Sequence, residues 1–106
     1  MVVRIWHGRT NAADADEYAE FLRKRAIPDY ESVAGLLLVE VLRRNEGDVS
    51  HFLTVTHWDD ETSVYAFAGQ DVLKAKYYPE DDAFLLEKEP FVQHFIVEGR
   101  FDRHAR

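Results

Sequence analysis

The segment Leu36-Leu37-Leu38-Val39-Glu40-Val41-Leu42 limits what this chain can fold into more than any other. A run this short, apolar and branched reads as a strand buried on nearly both faces. Asn45-Glu46-Gly47-Asp48 then supplies turn residues, and Ser50 to Trp58 returns as a second strand that closes a hairpin. Upstream, Val2-Val3-Arg4-Ile5-Trp6-His7 is β-branched and aromatic, which suits a first strand. Asp14 with Glu17 three residues on is a capping-box pattern, and Ala15, Tyr18, Phe21, Leu22 and Ala26 follow at helical spacing. Pro28 should end that helix, because proline does not fit a helix interior. Downstream, Asp59 and Asp60 are N-cap residues for a helix bearing Val64, Tyr65, Phe67 and Ala68. Gly69 should break it before Val72-Leu73 resume an apolar stripe that runs to Pro79, and Phe91 to Val97 reads as the last strand.

The order βαββαβ is the split βαβ of α+β, ferredoxin-like domains, a four-stranded antiparallel sheet with both helices on one face. At 106 residues, with no linker, the chain is expected to be a single domain over residues 1–106. Two helices cover only one face, yet Leu36 to Val39 and Phe95 to Val97 offer water no polar side chain. A second copy should cover the bare face as a homodimer, with Val39 or Val41 at the seam.

The absence of cysteine excludes a disulfide scaffold, a thiolate metal site and a cysteine nucleophile. A formal charge of −7 repels phosphate backbones, and the 13 Lys and Arg form no stripe, so nucleic acid is not an expected partner. No run approaches membrane-spanning length, and the first strand carries Arg4 and His7 where a signal peptide would be apolar. A cytoplasmic protein without a membrane partner is expected. No Walker loop, GxGxxG, GxSxG or HExxH occurs.

Period two puts Phe52, Thr54, Thr56 and Trp58 on one strand face. Two buried threonine hydroxyls need partners, so either they bond locally or that face lines a wetter pocket. Trp58 can pack a flat ligand and donate its indole N–H, or serve as an aromatic lid over the core. Tyr77 and Tyr78 could orient a small planar ligand, or sit at the core edge. His7, His57 and His94 fall in three neighbouring strands, but their spacing supports no metal site, whereas His51 and His104 read as surface residues. The acidic run Glu80-Asp81-Asp82, with Glu87 and Glu89, reads as a solvated loop.

The strand VRIWHGRT, the amphipathic helix after it, the strand HFLTVTHW ending in tryptophan, and the segments DDETSVYAF and GQDVLKAKYY together resemble the antibiotic biosynthesis monooxygenase family. The likeness spans nearly the whole chain and implies a dimeric ferredoxin-like α/β barrel. One branch of that family degrades heme and resembles this chain through Trp58, but its heme-ligating histidine falls here at Tyr77. Its first-strand asparagine is replaced by the region of Trp6, His7 and Gly8, so heme is disfavoured, although a tyrosine can ligate ferric heme. The cofactor-free branch implies that a phenol or anthrone is deprotonated and its anion reacts directly with O₂. On that reading, with no cofactor and no metal, His7 is the candidate base and Trp58 and Tyr77 are candidate donors. Arg4 is the anion partner, and Thr54, Thr56 and Tyr78 contact the aromatic ligand. The alternative is a non-catalytic dimeric protein that binds a small hydrophobic metabolite.

Overall fold

The computed structural model describes residues 1–104. Strands β1 (Val2–Asn11), β2 (Leu36–Glu46), β3 (Val49–Trp58) and β4 (Gln93–Ile96) form one antiparallel sheet in the order β2-β3-β1-β4. The fold is ferredoxin-like α+β, as the element order implies. Gly47, with φ of 58°, occupies the left-handed region in the two-residue turn between Glu46 and Val49, which sets the β2–β3 register.

Alternation decides which side chains meet the helices. Ser50, Phe52, Thr54, Thr56 and Trp58 of β3 are buried, as are Arg4, Trp6, Gly8 and Thr10 of β1 beside them. Their neighbours in sequence, including His7, His51 and Leu53, point to the opposite face. Val39 and Val41 of β2 pair with Thr56 and Thr54 and pack against the helix-side core, so neither lies on the bare face; Leu38 and Leu42 do.

Against the helix side lies a helix over residues 15–31, in three parts. Helix α1 (Ala15–Phe21) passes into a π-helical turn (Leu22–Ala26) and then α2 (Ile27–Glu31). The capping box does not form: Asp14 makes no side-chain cap, and a 3₁₀ turn over Ala12–Asp14 leads in, with the Ala15 N–H bonded to the Ala12 carbonyl. Pro28 does not end the helix either. It sits in the first turn of α2, just after the wider π turn, where a missing N–H and the ring's bulk are tolerated.

Helix α3 (Glu61–Ala68) starts at Asp60, whose carboxylate accepts from the Ser63 N–H at 3.1 Å, and ends at Gly69 with φ of 85°. The helical stripe expected after Gly69 is absent. Residues 72–75 instead run beside 90–92, with the Val92 N–H bonded to the Leu73 carbonyl and the Ala75 N–H to the Pro90 carbonyl. That pairing satisfies backbone groups a second helix would have used and still buries Val72 and Ala75. It also leaves β4 four residues long rather than seven.

Candidate functional site

Between the sheet and the helix over 15–31 lies a cavity of about 260 Å³, counting the part open to solvent. Its enclosed part is about the size of one water. Tyr18, Leu22, Ala26 and Tyr30 form the helix wall, so the π turn forms part of its roof. Trp6 and Thr54 form the sheet floor, and Lys76, Tyr78 and Asp81 close the end.

Trp6 is 7% exposed, and its indole Nε1 is buried with no hydrogen-bond partner. An unpaired buried donor costs about 1–3 kcal/mol. The group nearest to relieving it is the Tyr77 hydroxyl, whose pKa is raised by burial and lowered, by less, by the Trp6 indole. Gly8 makes room for that indole: a Cβ there would overlap the far edge of the Trp6 ring and stand 3.0 Å from Leu85.

Asp81 supplies the opposite chemistry. It is 2% exposed, although it sits in an acidic run that reads as solvated. A 3₁₀ turn over Pro79–Ala83 points it inward, where Tyr18 donates its hydroxyl at 2.8 Å and the Tyr78 N–H donates at 2.7 Å. Burial holds its carboxyl above the ordinary aspartate value, and the two hydrogen bonds only partly oppose this. Burial, then the Asp81 charge and hydrogen bond, raise the Tyr18 phenol far enough that it stays a neutral donor. The carboxylate has about four lone-pair sites and spends two on these bonds, leaving capacity toward the cavity.

Asp29, outside the lining, accepts from two residues that belong to it, from the Tyr78 hydroxyl at 2.6 Å and from Lys76 Nζ at 3.0 Å. Burial raises the Asp29 carboxyl, but those two donors outweigh it and hold the group below its usual value. Tyr30 shares a 3.3 Å hydrogen bond with Thr54, so Thr54 is both bonded and part of the lining.

Trp58, Thr56 and Arg4 are buried but do not line this cavity. Trp58 is fully buried, donates its N–H to Thr56 Oγ1 at 2.9 Å and packs on Tyr30 and Phe67, which makes it the lid over the core. Thr56 passes its own proton to the Arg4 carbonyl at 3.2 Å. Arg4 spends its guanidinium on the Val72 and Lys74 carbonyls and on His94 Nε2, holding the 72–75 segment rather than an anion. Burial lowers its pKa, and burial followed by the Arg4 charge lowers that of His94, which keeps the His94 ring nitrogen an acceptor.

Tyr77 packs edge-on to Trp6 and donates its hydroxyl to the Glu89 carbonyl at 2.6 Å. His7 lies on the other side of the sheet, so the structure does not bring His7, Trp58 and Tyr77 together. His51 is not a free surface residue, because its ring meets His7. The trio His7, His57 and His94 does not converge, and among the described residues no three or more His, Asp or Glu side chains are placed to hold one metal ion.

Known structures share this fold. The heme-degrader MhuD of Mycobacterium tuberculosis, solved with two hemes in its active site, matches with a TM-score of 0.65 at 21% identity over 96% of this chain and 100% of its own. A Bacillus cereus protein named for the antibiotic biosynthesis monooxygenases matches at 0.65 and 12% identity over 99% and 98%. SnoaB, a cofactor-independent oxygenase from Streptomyces nogalater, matches at 0.57 and 17% identity over 98% and 97%. The fold is that of the antibiotic biosynthesis monooxygenases. No family model matches the sequence, and no curated protein matches it. Structures with the monooxygenase fold thus include heme-bound and cofactor-independent proteins, and the residues of this chain must distinguish them.

The cavity offers no histidine, and the hydroxyl of Tyr77, which the family resemblance sets at the iron-ligand position, donates to the Glu89 carbonyl. Among the described residues no helix is long and apolar enough to cross a membrane.

Proposed function

We propose that this protein is a cofactor-independent oxygenase of a small phenol or quinol, bound in the cavity between the sheet and the helix over 15–31. The observation that carries the reading is a buried carboxylate, held above its ordinary pKa, in the wall of a cavity that is also lined by Trp6, whose indole N–H has no hydrogen-bond partner. The enclosed space is about the size of one water, so a ring binds by occupying the part open to solvent and displacing the helix wall. Asp81, rather than His7, is the base on this reading, because it lines the cavity and His7 does not. Asp81 takes the substrate proton, and Trp6 Nε1 with Lys76 holds the oxyanion that forms. Electron density delocalised to a ring carbon then adds to O₂. The resulting peroxide takes back a proton, and as its O–O bond breaks the ring carbon gives up its hydrogen, so that the phenol O–H and one ring C–H with O₂ become two C=O groups and H₂O with no external reductant.

The test is calorimetric binding of naphthols and hydroquinones to wild type and Trp6→Phe. Affinity should fall about three- to tenfold in the variant, as for one lost hydrogen bond. Equal affinity would remove Trp6 from the site. A non-catalytic binding protein would show the same binding without oxygen uptake.

A homodimer and a cytoplasmic location belong to the same reading. Leu38, Leu42 and Phe95 are 42%, 44% and 48% exposed on the sheet face that no helix covers, an apolar surface suited to a second copy. Sedimentation at micromolar concentration should show a dimer in wild type and a monomer in Leu42→Asp. A monomeric wild type would contradict the assembly.

A further inference from the structure

A chain of four side chains crosses the open face of the sheet, apart from the cavity. Glu89 Oε2 lies 2.5 Å from His7 Nδ1, His7 Nε2 lies 3.0 Å from His51 Nδ1, and His51 Nε2 lies 3.1 Å from Glu46 Oε1. Both ends are carboxylates, and ionised carboxylates only accept. Each imidazole therefore points an N–H outward, and the two inner nitrogens face each other with one lone pair apiece. Two neutral imidazoles carry two ring protons, but three hydrogen bonds need three.

The geometry fits a proton between the rings. Their centres are 5.3 Å apart for an N···N separation of 3.0 Å, so both nitrogens lie close to the line joining the centres, and the planes differ by 23°. This is the near-linear approach a hydrogen bond favours. A tetrahedral metal would require a bent one.

We propose that His7 and His51 share one extra proton and, with Glu46 and Glu89, form a clasp that closes in acid and loosens as pH rises. The clasp ties the β2–β3 hairpin to β1 and to residues 87–91, whose Glu89 carbonyl also accepts from Tyr77. The charges around it are already committed. On β2, Arg44 lies 3.4 Å from Glu46, and Arg43 bonds Asp16 and Asn45. On β1, Arg9 pairs with Glu87 at 2.7 Å, and beside Glu89 in sequence Lys88 pairs with Asp82. From β3 and β2 the neighbours along the pair are Leu53 and Leu42, and from β4 the nearby lining residue is the uncharged Gln93. The His51 hydrogen bond, followed by Arg44, holds the Glu46 carboxyl below its usual value, as an ionised acceptor requires.

The third ring proton is available in acid and withdrawn in alkali, so the clasp is complete at low pH and opens as pH rises. ¹⁵N NMR of the intact protein at about pH 6 and about pH 9 tests this. At the lower pH both outer nitrogens should be protonated, with a scalar coupling across the inner N–H···N. At the higher pH the coupling should vanish, and amide exchange in residues 87–91 should quicken about tenfold once corrected for intrinsic pH dependence. His51→Gln should remove both changes. Two neutral rings without coupling at the lower pH would overturn the proposal, and that reading needs only wild type. So would equal corrected exchange at both pH values, or the same pH response in His51→Gln.

Discussion

Truncating Trp58 to alanine should cost the fold about 3–5 kcal/mol, the range for removing a fully buried tryptophan. The indole touches Tyr30 and Phe67, themselves stacked at 4.4 Å, so the cavity left behind opens beside two more core rings. Thr56 keeps its bond to the Arg4 carbonyl in the variant but loses the donor that Trp58 Nε1 supplies, so the loss is chiefly one of packing. Against a total stability of about 5–15 kcal/mol for a domain of ordinary stability, the change should appear as a large fall in the denaturant midpoint. Trp58→Phe, which keeps much of the volume, should leave ligand affinity within about twofold, because Trp58 is not part of the cavity wall. A cost below about 1 kcal/mol for Trp58→Ala would mean that the ring is not the packed lid described here.

Replacing Asp81 should separate stability from chemistry. Asp81→Ala leaves the Tyr18 hydroxyl and the Tyr78 N–H without their acceptor, at a cost of about 1–3 kcal/mol for each group left unpaired. Asp81→Asn keeps the shape. Its oxygen can accept from the Tyr78 N–H, and the Tyr18 hydroxyl can turn to accept from its amide. It also removes a buried charge, so at neutral pH it should be at least as stable as wild type. The pH dependence follows from the raised carboxyl. The folded state holds the Asp81 proton at pH values where the unfolded chain has released it, so this group favours folding in acid and loses that effect as pH rises through the folded pKa. Asp81→Asn should abolish that component in pH-dependent melting curves. An unchanged pH profile would show that the carboxyl is not held as described.

How much of this was legible beforehand depended on whether the signal was local. The β3 alternation announced which residues would share a face, but not that this face would be the buried one; there Thr56 bonds to the Arg4 carbonyl of the neighbouring strand and Thr54 lines the cavity. The strand order and the Asp60 cap were equally readable, because period and capping chemistry act over a few residues. Asp81 was not readable, since an acidic run ordinarily faces water and only contact with Tyr18, 63 positions away in sequence, gives it a buried partner. Trp6 was missed because β1 is apolar toward both faces, which left its facing open. The helix after Gly69 failed because Val72 and Ala75 can be buried as well by pairing with residues 90–92. His7 and His51 became neighbours only through the register that pairs His7 with Leu53 and Arg9 with His51, which places the two histidines diagonally on one face.

Oxygen uptake bears most directly on the central claim that Trp6 and Asp81 make this cavity an oxygenase site. With a phenol or quinol shown by calorimetry to bind, wild type should consume O₂ without added metal, flavin or heme, and its rate should rise with pH through a carboxyl pKa above the ordinary value of about 3.9. Asp81→Asn should bind the same compound and consume no O₂ above the uncatalysed rate. A wild type that binds such compounds but never consumes O₂, or an Asp81→Asn variant as fast as wild type, would contradict the account.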